Sequence, residues 1–281
     1  MNNSHIPPKK MVLINDLTGY GRCSLAVALP VVSVLGIQAC PVPTAVFSNH
    51  MAFPVWFKDD YTSRLQEYLS CWEKLNLSFD GIYCGFLGNE KQADILSDFI
   101  EKQKQANQSL FILDPVMGDH GKLYSSVTSS YFSAIKALLP YSDILTPNLT
   151  EACFLTETSY PDQMPDLAFL ADMTAKLHSL GPAKIVITGL YDNGYFHNYV
   201  SELGEEPGLC TSKAGGPSRP GTGDLFASIV AAEALNHKPF YDSVTKAAEF
   251  VRICTKDSAA CSMPINDGVC FEKNLHYLIQ K

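Results

Sequence analysis

Basic charge, long apolar runs and a secretion signal are scarce or missing in this sequence of 281 residues. Lysines and arginines number 21 against 29 aspartates and glutamates, and the net charge is −8. The pair Lys9 and Lys10 is too short to be the basic patch of a nucleic-acid binder. Apolar runs fall short of the roughly 18 residues that a membrane span requires. The first residues, MNNSHIPPKKMVLIND, lack the layout of a signal peptide. We therefore expect no nucleic-acid or membrane partner, and a cytoplasmic location.

Patterns of metal-binding cysteine and histidine are also missing. The nine cysteines are scattered and odd in number, without a CxxC pair, and the seven histidines form no HExxH pattern. This distribution predicts free, mostly buried thiols in a reducing compartment rather than disulfides or a zinc site.

Short strand-like runs alternate with helical patterns from residue 11 to about residue 200. The strand-like runs are MVLIN, CPVPTAVFS, GIYCGFL, SLFILDPVM, SDILTPN and AKIVITGL, and GYFHNYV is typical of an antiparallel addition. Near-continuous apolar strands between amphipathic helices indicate a mostly parallel sheet covered on both faces. We expect one α/β domain over residues 1–281. In it, SELGEEPGLCTSKAGGPSRP is a polar loop and FEKNLHYLIQ a final helix.

Polar residues gather where these predicted strands end. Ligands of such sheets bind beyond the carboxyl ends of the strands, so this edge is the expected active site. The polar end of the first strand is Asn15 and Asp16, and the candidates from the strand ends are Asp16, Ser48, His50, Phe86, Asp114, Asp119, Thr146, Asn148, Glu151 and Thr188.

The segment RPGTGDLFASIVAAEAL places Gly221, Thr222, Gly223 and Asp224 directly before a run of small apolar residues that predicts a helix. Unpaired N–H groups and the macrodipole at a helix start attract anions, phosphates especially. A carboxylate beside them could accept a proton from a substrate hydroxyl while the amides hold phosphoryl oxygens. The alternative is that Asp224 only caps the helix.

Asp114 and Glu151 are carboxylates at strand ends, which suits Mg²⁺ with phosphate and water ligands. Each also has an ordinary structural interpretation. Asp114 precedes Pro115 and could form a turn, whereas Glu151 could cap the first turn of its helix. Asn148 could cap that helix or contact a metal-bound water, and Thr188 could be a strand residue without a further role.

The motifs FSNH, DPVMGD, TPNLTEA and GTGD occur in this order, and together they resemble the ribokinase superfamily of small-molecule kinases. FSNH after VPTAV, GFLG after a strand, and GKLY after DPVMGD are similar to the pyridoxal kinases, which phosphorylate vitamin B6. The resemblance extends from Met11 to the helix after Asp224. It implies a three-layer ribokinase-like fold, with a mostly parallel central sheet between helices.

The resemblance also implies roles for individual residues. Asp224 would be the catalytic base, with Gly221, Thr222 and Gly223 as the anion hole. ATP would lie near Asp114, Tyr124, Thr146, Asn148 and Thr188, and Mg²⁺ near Asp114, Asp119 and Glu151. Ser48, His50 and Phe86 would line the vitamer pocket. A monovalent cation, K⁺ or Na⁺, and a homodimer are further expectations from the family.

One position departs from the family pattern. Pyridoxal kinases usually have a serine at the end of the first strand, in IQSH, where this chain has Asp16. Hydroxymethylpyrimidine kinases have GSD there, but their GTGC and GSDxxGGAG motifs are absent. Asp16 could accept a hydrogen bond from a pyridinium N–H or a ring hydroxyl. A hydroxymethylpyrimidine kinase and a non-catalytic vitamer-binding protein therefore remain alternatives.

Overall fold

The computed structural model describes residues 7–279, and a nine-stranded sheet forms the centre of this part of the chain. In chain order the strands are β1 (Lys10–Tyr20), β2 (Gln38–Asn49), β3 (Lys58–Asp60), β4 (Gly81–Cys84), β5 (Leu110–Leu113), β6 (Gly118–Asp119), β7 (Lys122–Leu123), β8 (Ile144–Leu145), β9 (Lys184–Asp192), β10 (Tyr195–Glu202) and β11 (Gly208–Lys213). The order in the sheet is β11-β10-β9-β8-β5-β4-β1-β2-β3, and β6 and β7 form a separate hairpin.

The strands from β9 through β8, β5, β4 and β1 to β2 pair in parallel, as predicted. Antiparallel strands flank them, with β3 at one edge and β10 and β11 at the other. Because parallel strands point the same way, their carboxyl ends share one edge of the sheet, where a ligand site is expected.

Helices cover both faces of the sheet. They are α1 (Ser24–Val34), α2 (Thr62–Lys74), α3 (Gln92–Asn107), α4 (Ser129–Leu138), α5 (Leu149–Leu155), α6 (Leu167–His178), α7 (Thr222–Leu235) and α8 (Phe240–Ala260). Val12 and Ile14 of β1 join the core of α2 to α6, whereas Met11 and Leu13 join the core of α1, α7 and α8. Successive side chains of a strand thus pack against helices on opposite faces of the sheet, which explains why the strand sequences are continuous apolar runs.

Two predictions for the C-terminal third are wrong. The polar loop over residues 201–220 contains β11, an edge strand in which Cys210 is the one buried residue of six, so its alternation is weak. The final helix is a short 3₁₀-helix at Glu272–Tyr277. Within residues 7–279, no helix combines the length and apolarity needed to cross a membrane.

A register shift between β1 and β2 lies beside the predicted site. Asn15 pairs with Pro43 but Leu17 pairs with Val46, so β2 contains one extra residue there. Bulges re-aim side chains next to active sites. The side chains of Asn15 and Asp16, beside this bulge, are both buried, with 1% and 6% exposure, as are all residues from Met11 to Asp16 in this doubly covered sheet.

Candidate active site

A cavity of about 840 Å³ lies at the carboxyl ends of the parallel strands. The first turn of α7 and the end of β1 meet there, and residues after β5, β8 and β9 form the other side. The predicted site residues that line it are Asp16, His50, Phe86, Asp114, Asp119, Tyr124, Thr146, Asn148, Glu151, Thr188, Gly221, Thr222, Gly223 and Asp224.

Ser48 lies outside this cavity, contrary to the sequence prediction. Side chains alternate along a strand, so Ser48 of β2 points away while Phe47 faces the cavity. The Ser48 hydroxyl donates to Asn49 Oδ1 at 2.8 Å and accepts from the Phe57 N–H at 2.9 Å. Phe47 instead packs edge-to-face on Phe86, with ring centroids 6.2 Å apart. The two rings form an aromatic wall of the cavity. The alternation of side chains along β2 could have identified Phe47 as part of it.

Helix α7 begins on a glycine turn that other residues cannot adopt. Gly221 has φ of +86°, and a Cβ there would lie 1.9 Å from the Arg22 carbonyl oxygen. Gly221 occupies the N-cap position, and no side chain of the described residues caps this helix. The first N–H groups of a helix have no partner within it, so the amides of Thr222 and Gly223 remain available to an anion.

Asp224 is the third residue of α7 and not its N-cap, which removes the capping alternative. Asn15 Nδ2 donates to Asp224 Oδ1 at 3.3 Å. Burial and the nearby charge of Asp16 raise the pKa of Asp224 to about 6, although hydrogen bonds from the Ser24 backbone and from Asn15 lower it. A carboxyl group that titrates close to neutral pH is suited to act as a general base.

Asp16 lines the same end of the cavity. Its Oδ2 accepts the Thr18 hydroxyl and its Oδ1 the Ser24 hydroxyl, each at 2.6 Å. Burial raises the pKa of Asp16, and these two hydrogen bonds oppose that effect. A fixed carboxyl group therefore stands at the position where the resemblance found in the sequence leads one to expect serine.

Asp114 lies at the other side of the cavity, after β5. Thr146 Oγ1 donates to its Oδ1 at 3.2 Å, and the hydroxyl of the fully buried Tyr83 approaches its Oδ2 at 3.5 Å. Burial, followed by the charge of Asp224, raises the pKa of Asp114 to about 8. Tyr83 was not a sequence candidate, because an apolar β4 strand gives no sign that this tyrosine faces a carboxylate.

Glu151 and Asn148 form a capping box at the start of α5. Asn148 Oδ1 accepts the Glu151 N–H at 3.0 Å, and Glu151 Oε2 accepts the Asn148 N–H at 2.9 Å. Glu151 Oε1 accepts the Met117 N–H at 3.0 Å, while Asn148 Nδ2 donates to the Gly118 carbonyl at 2.8 Å. Both residues therefore have the structural role that the sequence offered as an alternative: they hold in place the segment that leads into the β6–β7 hairpin. Burial, then the charge of Asp114, raises the pKa of Glu151.

The structure does not assemble Asp114, Asp119 and Glu151 into one metal cluster. No group of three or more potential protein ligands occurs among residues 7–279. Asp119 lies on the exposed hairpin, 3.5 Å from the His120 ring, and both Glu151 oxygens already accept backbone N–H groups. The donor chemistry still fits Mg²⁺, which commonly takes one or two carboxylates, waters and substrate phosphates instead of a protein cage.

His50 contacts the protein with both ring nitrogens. Nε2 lies 2.6 Å from the Asn266 carbonyl oxygen and Nδ1 accepts the Ala52 N–H at 3.3 Å, which identifies the tautomer protonated at Nε2. His50 thus presents ring carbons to the cavity, and its nitrogens hold the loop after β2. Thr188 Oγ1 makes only a long contact of 3.4 Å with the Pro147 carbonyl, and Tyr124 is partly exposed.

Backbone carbonyl groups of residues 263–268 accept hydrogen bonds from side chains near the glycine turn, and we call this segment the carbonyl strap. Arg219, which is 5% exposed, donates to the carbonyls of Pro264 and Met263 at 2.8 Å each. Arg22 donates to the Asp267 carbonyl at 3.0 Å. Because His50 also binds the strap, one segment joins the loop after β2 to the turn before α7. The sequence analysis did not predict these hydrogen bonds, because backbone carbonyl groups accept them and no local sequence pattern identifies such acceptors.

Comparisons with known proteins agree with this geometry. A family model for phosphomethylpyrimidine kinase matches residues 68–268. The pyridoxal kinase of Arabidopsis thaliana is 30% identical over 227 residues, which cover 77% of this chain and 70% of that protein. The crystal structure of a protein from Bacteroides thetaiotaomicron, described as a phosphomethylpyrimidine kinase, is 31% identical with a TM-score of 0.94, covering 100% of this chain and 97% of that chain. A second crystal form of it, with pyridoxal, gives 31% identity and a TM-score of 0.91 over 97% and 96% of the chains. These similarities confirm the predicted fold and the predicted resemblance.

Proposed function

The chain belongs to the phosphomethylpyrimidine kinase family, and from this premise we propose that it is an ATP-dependent kinase of vitamin B6. It phosphorylates the 5′-hydroxymethyl group of pyridoxal, pyridoxamine or pyridoxine, acting as a single domain. The observation that carries this proposal is the uncapped start of α7, where Asp224 faces the cavity beside available backbone amides.

Asp224 accepts the proton of the substrate hydroxyl as the hydroxyl oxygen attacks the γ-phosphorus of ATP. The new oxygen–phosphorus bond forms while the bond to the β-phosphate oxygen breaks, and ADP leaves. The N–H groups of residues 221–223 and the dipole of α7 stabilise the charge that develops on the phosphoryl oxygens. Because α7 is fixed by its glycine turn, these donors need no reorganisation during transfer.

Asp114 is the residue proposed to contact Mg²⁺ directly. Because the three predicted carboxylates do not form one cluster, Asp119 and Glu151 are proposed to act through water, and both Glu151 oxygens already accept backbone N–H groups. The ion supplies charge compensation to the phosphate oxygens of ATP. Tyr124, Thr146, Asn148 and Thr188 are the further residues proposed for the nucleotide side of the cavity.

Asp16, Phe47, Phe86 and His50 are proposed to form the vitamer side. The aromatic wall supplies a flat apolar surface for a ring, and Asp16 supplies an acceptor for a ring N–H or hydroxyl. The pyridoxal in the Bacteroides crystal form supports this choice of ligand.

A panel assay tests the function. Purified protein with Mg²⁺ and ATP, with and without K⁺ or Na⁺, is given each of the three vitamers and hydroxymethylpyrimidine, and phosphorylated product is measured. We expect turnover of at least one vitamer to exceed that of the pyrimidine. Preference for the pyrimidine would favour the second candidate, which the name of the matched family model supports. Absence of phosphorylated product with every compound would contradict kinase function.

We also propose a homodimer in the cytoplasm. Support for a second copy comes from Val55, Trp56 and Phe57 between β2 and β3, whose exposed fractions are 81%, 46% and 65%. Light scattering of Phe57→Asp should show a smaller mass than the native protein, whereas Leu203→Asp, in a distant exposed turn, should not. Nine free cysteines support a reducing compartment.

A further inference from the structure

Asn15, midway along β1, has one possible amide orientation. Its Oδ1 accepts the backbone N–H of Asp16 and that of Phe86, each at 3.0 Å. The flipped amide would place an NH₂ group against two N–H donors, so the NH₂ group must point the other way. That direction leads to Asp224, where Nδ2 donates to Oδ1 at 3.3 Å.

The space around Asn15 holds the side chain in this place. The residue is 1% exposed, and a Cβ on Gly85 would lie 2.5 Å from Asn15 Nδ2. Gly85 follows β4, so the backbone passes close to the amide. Only a group with the shape of asparagine fills this site, and the NH₂ group cannot turn from Asp224 without breaking two backbone hydrogen bonds.

This one amide connects the two working parts of the proposed site. Through Oδ1 it fixes the main chain at Asp16 and Phe86, on the vitamer side. Through Nδ2 it donates to Oδ1 of Asp224, a carboxylate that the Ser24 backbone also hydrogen-bonds. A donor on Oδ1 also prevents rotation of the carboxylate, and small errors in the geometry of a general base are costly.

We propose that Asn15 is a positioning residue for phosphoryl transfer, which aims the Asp224 carboxylate at the hydroxyl of a ring held beside Asp16 and Phe86. The proposal rests on the function proposed above and adds a residue that acts on the reaction through Asp224. A buried asparagine with a purely structural role would affect stability and leave the rate alone.

The variant Asn15→Asp tests this with little change in shape. It keeps an oxygen for the N–H groups of Asp16 and Phe86 but replaces the donor at Asp224 by a second carboxyl group. Neighbouring carboxyl groups share a proton, which impairs the base. We expect kcat to fall roughly 10-fold to 100-fold while KM for the vitamer stays within about three-fold. In an Asp224→Ala background the same substitution should cause no further loss.

Asn274 provides a matched control. It is 4% exposed and its Nδ2 donates to Asp257 Oδ2 at 3.0 Å, outside the cavity. Asn274→Asp should lower the melting temperature by an amount similar to Asn15→Asp and leave kcat unchanged. Equal kcat in the native protein and in Asn15→Asp, or additive losses with Asp224→Ala, would overturn the proposal.

Asn15→Ser keeps the test decisive if Asn15→Asp does not fold. A serine hydroxyl can accept a backbone N–H but cannot reach Asp224, so kcat should again fall with KM preserved. If neither variant folds, Asn15 is structural and the proposal is overturned. A native protein that phosphorylates none of the panel compounds would instead refute the proposed function, so the two failures are distinguishable.

Discussion

Two helices, α5 and α7, begin at the same cavity with a carboxylate in the third position, yet the two carboxylates are used differently. Glu151 of α5 closes a capping box with Asn148, and both its oxygens accept backbone N–H groups. Asp224 of α7 follows Gly221, which has no side chain, and its carboxylate meets Asn15 instead.

The N-cap residue accounts for the difference. Asparagine at the N-cap pairs with the third residue, so that the N–H groups of Asn148 and Glu151 both find partners at the helix start. Glycine at the N-cap leaves the N–H groups and the carboxylate to the cavity. The comparison supports the proposed roles, in which α5 holds the loop that leads into the β6–β7 hairpin and α7 takes part in phosphoryl transfer.

The substitution Asp224→Ala should have the largest effect. Removal of the base should lower kcat by about 10² or more, with nucleotide binding largely retained. The matched control is Asp242→Ala, because Asp242 is the third residue of α8, is exposed and lies outside the cavity. Steady-state kinetics and nucleotide titration measure both variants. Native turnover in Asp224→Ala would show that α7 is not the catalytic helix.

Gly221→Ala should break the glycine turn that distinguishes α7. Its Cβ would collide with the Arg22 carbonyl, in addition to about 1–2 kcal/mol of left-handed backbone strain. We expect a larger loss of unfolding free energy than in Gly204→Ala, where φ is +88° but no atom lies within 4 Å of the new Cβ. Denaturant unfolding measures both. Equal losses of unfolding free energy in the two variants would mean that the Arg22 carbonyl can move away from the new Cβ and that the turn is not rigid.

The pH dependence should reveal Asp224 and not Glu151. Burial and the Asp16 charge raise the pKa of Asp224 to about 6. The group must be deprotonated to accept a proton, so kcat/KM should fall by about tenfold per pH unit as the pH drops below that pKa. The profile is measured with two vitamers, because a pKa of the enzyme appears with both substrates whereas a pKa of the substrate changes from one to the other. A profile that stays flat down to about pH 5 would contradict this assignment.

Glu151→Gln should have the smallest effect on the reaction at saturating magnesium. Glutamine offers one acceptor where glutamate supplies two, so one capping N–H group loses its partner at a cost of about 1–3 kcal/mol in unfolding free energy. The magnesium requirement should rise several-fold, with kcat restored at high Mg²⁺. In Asp224→Ala, added Mg²⁺ should not restore kcat. If high Mg²⁺ restored kcat in both variants, the proposed difference between α5 and α7 would be contradicted.

The sequence predicted the layers, the parallel strands and fourteen residues of the cavity lining, because strand periodicity and the carboxyl-edge rule follow from local pattern. Phe47 escaped because FSNH drew attention to the polar residues, although alternation places Phe47 inward. The sequence placed Asn15 among the polar strand ends, but its role and that of Tyr83 could not be found this way, since these roles depend on Asp224 and Asp114, which are distant in the chain. The capping box of Asn148 and Glu151 was anticipated as an alternative, because its spacing is local.

The carbonyl strap has a consequence for the order in which the site can form. Arg219 is buried against carbonyls of residues 263 and 264, which leave the ribosome after it does. Until they emerge, the guanidinium has no protein acceptors to compensate for its burial. The turn before α7 can therefore take its final form only after residues 263 and 264 have been synthesised, whereas every strand of the sheet precedes them in the chain.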